Sequence, residues 1–307
     1  MKIYVAGHTG MLGSAIVRAL RARGYEDILT FPHNPHDLTN TSGDVWRQLY
    51  NHQPDYVFMA AGRVGGIQAN IDNQAAFLAD NARMAMNIID ACKRYGARLC
   101  YIGSSCMYPR ECPQPMRESN LLTGAFEPTN EGYALAKSVG LRYAQYNLPD
   151  SVIPIPCNLY GTNDHYDPRN SHVFPALIRR FVEAVSSGAE RVTLWGTGSP
   201  RREFLHVDDC ADALVTLMRF GNWADSGPIN VGSGQDVTIY ELAHMIAGIA
   251  GFEGDIYWDT TKPDGMPRKL MDNARLSALG WQPKIDLREG ITRTIAEYRA
   301  MIEVKEQ

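Results

Sequence analysis

The stretch KIYVAGHTGMLGSAI, Lys2 to Ile16, decides how the rest of the chain is read. An apolar run, Lys2–Ala6, stops at Gly7, and Gly10 and Gly13 follow at equal spacing. Leu12, Ile16, Val17 and Leu20 then fall at the helical period. The pattern is strand, tight turn, helix. Glycine in such a turn lets the backbone approach a pyrophosphate, which sits on the positive end of the helix. The spacing is GxxGxxG, and a glycine triplet alone would be an ordinary turn. Placed between a strand and a helix it reads as a dinucleotide site, with Gly7, Gly10, Met11, Leu12 and Gly13 as cofactor-binding residues and Asp37 and Leu38 on the adenine side.

The same alternation continues outward. Candidate strands are Lys2–Ala6, Tyr56–Ala61, Leu99–Gly103, Val152–Asn158 and Pro228–Val231. Between them Ala85, Ile88, Ile89 and Cys92 keep helical spacing, Ala211–Phe220 reads as a helix preceded by Asp208 and Asp209, and Thr238-Ile-Tyr-Glu241 is a capping box. Strands alternating with amphipathic helices predict an α/β protein with a Rossmann-like, doubly wound parallel sheet. Residues 161–202 and 233–307 are richer in Pro, Gly and Trp, and predict a smaller, interleaved C-terminal substrate domain. Residues 1–160, with about 203–232, form the dinucleotide-binding domain, and a pocket between the two is the natural substrate site.

Composition narrows the ligand. The 307 residues carry a formal net charge of −4, with no basic excess to suit nucleic acid or an anionic membrane. An anionic ligand therefore needs individual arginines. No apolar stretch reaches the ~20 residues that span a bilayer, and Met1-Lys2 leads directly into the first strand, so a cytoplasmic protein is expected. The six cysteines show no CxxC pair and no zinc spacing, so no metal site is expected.

Two further motifs carry chemistry. In "YIGSSCMYP" an apolar run ends in Ser104, Ser105 and Cys106; alone it would be a turn. "YALAK" places Tyr133 and Lys137 at i and i+4, on one helix face. A lysine ammonium beside a phenol favours the phenolate, and a serine hydroxyl can bind the oxygen that the tyrosine protonates.

With these motifs the sequence resembles the extended short-chain dehydrogenase/reductase superfamily. Within it the resemblance is to the GDP-4-keto-6-deoxy-mannose 3,5-epimerase/4-reductases. It rests on "RVGGIQAN", "GSSCMYP", "LLTGAFEPTNEGYALAK", "NLYG", "NSHVFPALIRR", "LWGTGSPRREFLHVDD" and "PDGMPRK", in order from residue 3 to about residue 294. The resemblance implies Ser104, Tyr133 and Lys137 as the reductase triad, Ser105 being the adjacent alternative. It implies Cys106 and His172 as epimerisation base and acid, and Tyr133, Lys137 and His172 beside the cofactor. Arg180, Trp195, Arg202 and Lys269 match positions that hold the GDP-sugar. The implied reaction turns GDP-4-keto-6-deoxy-D-mannose into GDP-L-fucose with NADPH, in a homodimer paired through Asn73–Tyr95 and Glu131–Asn147.

The sequence departs from that pattern where NADP is told from NAD. The family carries an arginine in the glycine loop and another after the second strand; here stand Thr9 and Phe31-Pro-His-Asn34. No acidic residue for an NAD ribose replaces them, so use of NAD(H) stays open. Two rivals follow: an enzyme acting on another GDP-4-keto sugar, as in GDP-L-colitose formation, and a non-catalytic dinucleotide sensor.

Overall fold

The computed structural model describes residues 1–40, 44–168, 170–219, 227–262 and 264–306. Phe220, the predicted end of the Ala211–Phe220 helix, lies outside the described residues, as do 221–226 of the 203–232 segment and Pro263 of the "PDGMPRK" motif. In chain order the elements begin β1 (Ile3–Ala6), α1 (Met11–Ala22), β2 (Ile28–Leu29), α2 (Asp44–His52), β3 (Tyr56–Met59), α3 (Ile67–Asp72), α4 (Gln74–Tyr95) and β4 (Arg98–Tyr101). There follow α5 (Glu131–Asn147), β5 (Pro154–Pro156), β6 (Asn158–Tyr160), α6 (Val173–Ser187), β7 (Arg191–Trp195), β8 (Arg201–His206) and α7 (Val207–Arg219). The chain closes with β9 (Ile229–Val231), β10 (Asp236–Thr238), α8 (Ile239–Ala250), β11 (Asp255–Asp259), β12 (Arg268–Lys269), α9 (Ala274–Ala278) and α10 (Leu287–Glu306).

The first sheet is parallel, in the order β2-β1-β3-β4. Backbone bonds from Tyr101 to Val152 (2.9 Å) and from Gly103 to Pro154 (2.8 Å) continue it to β5, which pairs in parallel with β9. The strand order reverses between β1 and β3, and at such a switch point the carboxyl ends of the strands open a crevice for a ligand. The Rossmann-like α/β architecture expected from the strand–helix alternation is therefore present. Both faces are covered, so β1 and the centre of the sheet are wholly buried: Ile3, Val5, Ala6, Val57 and Phe58 have no exposed surface.

Two hydrophobic cores form. One gathers β1, β3, β4, α1, α4 and α7 side chains and also takes Met271, Leu276 and Trp281 from the C-terminal third. The other joins Phe174, Phe181, Phe204, Leu242 and Ile291, with Tyr160 and Phe174 stacked at 3.9 Å.

Two sequence expectations change in detail. The Val152–Asn158 strand divides at Cys157: β5 pairs with β9, whereas β6 pairs with β8. One apolar run thus serves two sheets, and the division falls where the chain changes partners. The helix expected at Ala211 begins at Val207, so Asp208 and Asp209 lie inside its first turn, where their charge meets the positive helix end. The capping box at Thr238 is present as expected: Glu241 N–H donates to Thr238 Oγ1 at 3.0 Å, and Thr238 N–H to Glu241 Oε2 at 2.7 Å.

Candidate active site

Three segments meet at the carboxyl ends of β1, β3 and β4. The glycine turn comes first. Gly7 has φ +82°, which glycine adopts without strain, and Gly10 N–H donates to its carbonyl at 3.1 Å. A Cβ on Gly13 would collide with that same carbonyl, and one on Gly7 would stand 2.6 Å from the Ala61 backbone. The glycines therefore let α1 start directly against β1 and β3. Gly10 is the N-cap and offers no side chain to the first turn of α1, which begins at Met11 and Leu12, so that turn presents backbone N–H groups and a positive dipole. That cradle fits a dinucleotide pyrophosphate.

Beyond it, Asp37 is engaged locally. Its Oδ1 accepts from the N–H and the hydroxyl of Thr39, both at 2.8 Å, and these bonds hold its carboxyl below the usual range. Leu38 is buried against the first core. Phe31, which follows β2, packs between Tyr4, His36 and His52 at centroid distances of 5.2–5.5 Å.

The second segment is the end of β4. Ser104 caps a short 3₁₀ turn, Ser105–Met107, accepting a bond from Cys106 N–H at 3.3 Å. The turn reading of Ser-Ser-Cys is thus correct as geometry, and it also sets the side chains. Ser104 is half-buried and acts to lower the Tyr133 phenol, whereas Ser105 is buried. Of the two serines, Ser104 is the one facing the tyrosine.

The third segment is α5, which brings Tyr133 and Lys137. The Lys137 ammonium donates to the Ile102 carbonyl at 2.9 Å and lies 5.8 Å from the centre of the Tyr133 ring. Burial lowers Lys137 to about 8, against a smaller upward pull from Cys106, so its charge persists at neutral pH. The expectation that this ammonium lowers the Tyr133 phenol is not met. Burial first, and then the neighbouring Cys106, push the phenol up, against a smaller lowering from Ser104. Desolvation is the largest cause and favours the neutral phenol, the form that can give a proton. Cys106 Sγ accepts from Asn130 Nδ2 at 3.1 Å. Asn130 was not singled out in the sequence, although it stands three residues before Tyr133 in "EPTNEGYALAK".

His172 is the N-cap of α6 and is not hydrogen-bonded to this cluster among the described residues. The segment before it meets the β3–α3 loop, where Gly66 N–H donates to Asn170 O at 2.8 Å. The residue is exposed, yet desolvation by the surrounding protein, and then His165, holds the imidazole below its ordinary value.

The four residues matched to the sugar nucleotide fall into two linked pairs. Arg180 and Trp195 line an open cleft of about 590 Å³, and Arg180 donates to Thr193 O at 2.8 Å. Trp195 is 68% exposed, with the Lys262 ammonium 5.7 Å above its ring. Arg202 and Lys269 are register partners on β8 and β12. Arg202 donates to Met266 O at 2.7 Å, and burial lowers it. Asp264 accepts from Thr197 N–H and hydroxyl at 2.9 and 2.7 Å, tying the two pairs together. Among the described residues no group of His, Cys, Asp and Glu could hold a metal, and no helix is long and apolar enough to cross a membrane.

A glycine turn for a dinucleotide, set beside a serine, tyrosine and lysine at a strand end, defines a nicotinamide-dependent enzyme of the Rossmann class. Residues 3–232 match the NAD dependent epimerase/dehydratase family, and the chain belongs to it. It is 49% identical to the Putative GDP-L-fucose synthase 2 of Arabidopsis thaliana over 100% of this chain and 94% of that one. It is 42% identical to the GDP-L-colitose synthase of Yersinia pseudotuberculosis over 96% of each. A crystal structure of a GDP-L-fucose synthetase from Naegleria fowleri bound to NADP superposes with a TM-score of 0.87 at 25% identity, covering 98% of this chain and 94% of that one.

Proposed function

We infer that this chain is a bifunctional 3,5-epimerase/4-reductase converting GDP-4-keto-6-deoxy-D-mannose to GDP-L-fucose with NADPH. The observation that carries this is one cluster at the end of β4: Ser104 caps the turn that bears Cys106, Cys106 Sγ accepts from Asn130 Nδ2 at 3.1 Å, and the Lys137 ammonium lies 5.8 Å from the centre of the Tyr133 ring. A C4 ketone acidifies the hydrogens at C3 and C5. Cys106 as thiolate removes such a proton, and His172 returns one to the opposite face. Ser104 and Tyr133 hold the ketone oxygen through both chemistries, and Tyr133 finally protonates it. The bound nicotinamide supplies the hydride that reduces C4. Lys137 fixes the site electrostatically beside Tyr133. Arg180 and Arg202 suit the diphosphate, Trp195 a ring face of the ligand, and Lys269 a further anionic contact.

The dinucleotide rests on Gly7, Gly10, Met11, Leu12 and Gly13. Neither Thr9 nor His33 and Asn34 provides the arginine forks that grip a 2′-phosphate, so NADPH is preferred less strongly than in arginine-bearing relatives. The enzyme is a cytoplasmic homodimer, as its water-soluble nucleotide ligands and the exposed Leu135, Val139 and Tyr146 on α5 support. The two-domain division at 1–160 plus about 203–232, against 161–202 plus 233–307, belongs to the same reading.

The test is turnover by purified protein, with NADPH and NADH in parallel, on GDP-4-keto-6-deoxy-mannose and its dideoxy analogue. Nicotinamide oxidation only with the first sugar, giving GDP-L-fucose by NMR, supports the reading. Turnover of the dideoxy analogue alone would transfer it to a colitose-type reaction, and no turnover with either would leave only dinucleotide binding.

A further inference from the structure

Asn130 occupies the N-cap position of α5, where an asparagine ordinarily accepts a bond from the first turn and stabilises the helix by ~1 kcal/mol. Its side chain makes no such bond. Instead Nδ2 points at Cys106 Sγ, 3.1 Å away, with the sulfur as acceptor. Its Oδ1 is buried and has no hydrogen-bond partner among the described residues. Asn273, the N-cap of α9, likewise lacks a side-chain cap and leaves its Oδ1 unpartnered among the described residues, so what sets Asn130 apart is its bond to the Cys106 sulfur.

We propose that Asn130 is the positioning residue of Cys106, donating to the thiolate and turning its amide over to accept from the thiol. The proposal rests on Cys106 being the epimerisation base. In the step concerned, the thiolate takes the proton from C3 or C5 as the C–H bond breaks. The electron pair moves to the C4 carbonyl oxygen, leaving an enolate, and the sulfur becomes a thiol. A thiolate only accepts hydrogen bonds, and a thiol can also donate. An amide meets both: Nδ2 faces the thiolate, and a half-turn brings Oδ1 to the S–H. Because Oδ1 has no other partner, the half-turn breaks no second bond.

Asn130, Tyr133 and Lys137 are the N-cap and two later positions of a single helix. One element therefore aims the partner of the epimerisation base as well as the reductase pair.

The experiment compares wild type, Asn130→Ala, Asn130→Asp and Cys106→Ser. Iodoacetamide labelling of Cys106 is followed by peptide mass spectrometry, and deuterium uptake at C3 and C5 of GDP-4-keto-6-deoxy-mannose is followed in heavy water. Loss of a charge-assisted donor should slow Cys106 labelling at pH 7 by about tenfold in Asn130→Ala. Asn130→Asp should be slower still, because its carboxylate cannot donate and repels the thiolate. Deuterium uptake should fall in the same order, with melting temperature and NADPH affinity unchanged in Asn130→Ala. Equal labelling and uptake in wild type and Asn130→Ala would overturn the proposal, as would labelling as fast in Asn130→Asp as in wild type. Full deuterium uptake in Cys106→Ser would overturn the base assignment on its own, while slower labelling in Asn130→Ala would still establish the Asn130–sulfur bond.

Discussion

Tyr133 and Asp164 are both half-buried acids that desolvation pushes up, for different ends. Burial and the nearby Cys106 hold Tyr133 as a phenol, so a proton is available when the ketone oxygen gains charge. Tyr133→Phe should lower reduction by at least ~100-fold while NADPH affinity, measured by fluorescence, stays near wild type. Normal turnover in that variant would remove Tyr133 from the reaction. Asp164 follows β6 and accepts from His165 N–H at 2.7 Å; burial, with Glu297 adding to it, pushes its carboxyl up to about 7. Between its unfolded value of 3.8 and about 7 the folded chain binds more protons than the unfolded one, so stability falls as pH rises through that window. Asp164→Asn should remove the penalty. Thermal melts should show the variant more stable than wild type by about 1–2 kcal/mol at pH 8, allowing for partial solvent screening, and equal to it at pH 4. A gain of equal size at both pH values would contradict this. The spacing of Tyr133 and Lys137 was legible in the sequence. The protonation of Tyr133 was not, because it is set by how much protein covers the ring.

Helix α5 shows what an element adds to its residues. Tyr101, at the end of β4, donates its hydroxyl to Lys137 O at 3.1 Å and lies over Gly140, where a Cβ would overlap the phenol. Lower on the helix, Gly132 N–H donates to Gln74 Oε1 at 2.6 Å, bringing α4 close. The small residues let α5 settle against β4 and α4, which delivers Tyr133 and Lys137 to the end of the sheet. Gly140→Ala should therefore displace the helix, costing about 1–3 kcal/mol and most of the reductase rate. A melting curve and turnover both unchanged would refute this packing account. Alternating strand and helix patterns placed β1, β3, β4 and α4 from sequence alone, whereas α5 came from the Tyr133–Lys137 spacing and the family resemblance. The division of Val152–Asn158 between two sheets was not legible, since the apolar pattern runs on through the point where the partners change.

At the scale of the whole molecule, Glu203 on β8 is wholly buried and joins distant segments. Its carboxylate accepts from Gly234 N–H at 2.7 Å and Met271 N–H at 2.9 Å. Asn230 binds Tyr108, Met116 and Asp272, so the loop beyond Cys106 is anchored to the segment leading from Lys269. These bonds hold the β8–β12 pair, with Arg202 and Lys269, and the end of β4 in one frame. On the outside, Leu135, Val139 and Tyr146 leave an apolar stripe along α5. Sedimentation should give a dimer for wild type and a monomer for Val139→Asp, since a buried charge opposes association; a monomeric wild type would remove the dimer from the account. The central claim is that one pocket both epimerises and reduces, with Cys106 as base. It is tested most directly by deuterium uptake from heavy water at C3 and C5 of GDP-4-keto-6-deoxy-mannose, in wild type and Cys106→Ser. The account predicts uptake at both carbons in wild type and nearly none in Cys106→Ser, with slow NADPH oxidation persisting in the variant. Undiminished uptake and normal product stereochemistry in Cys106→Ser would contradict it.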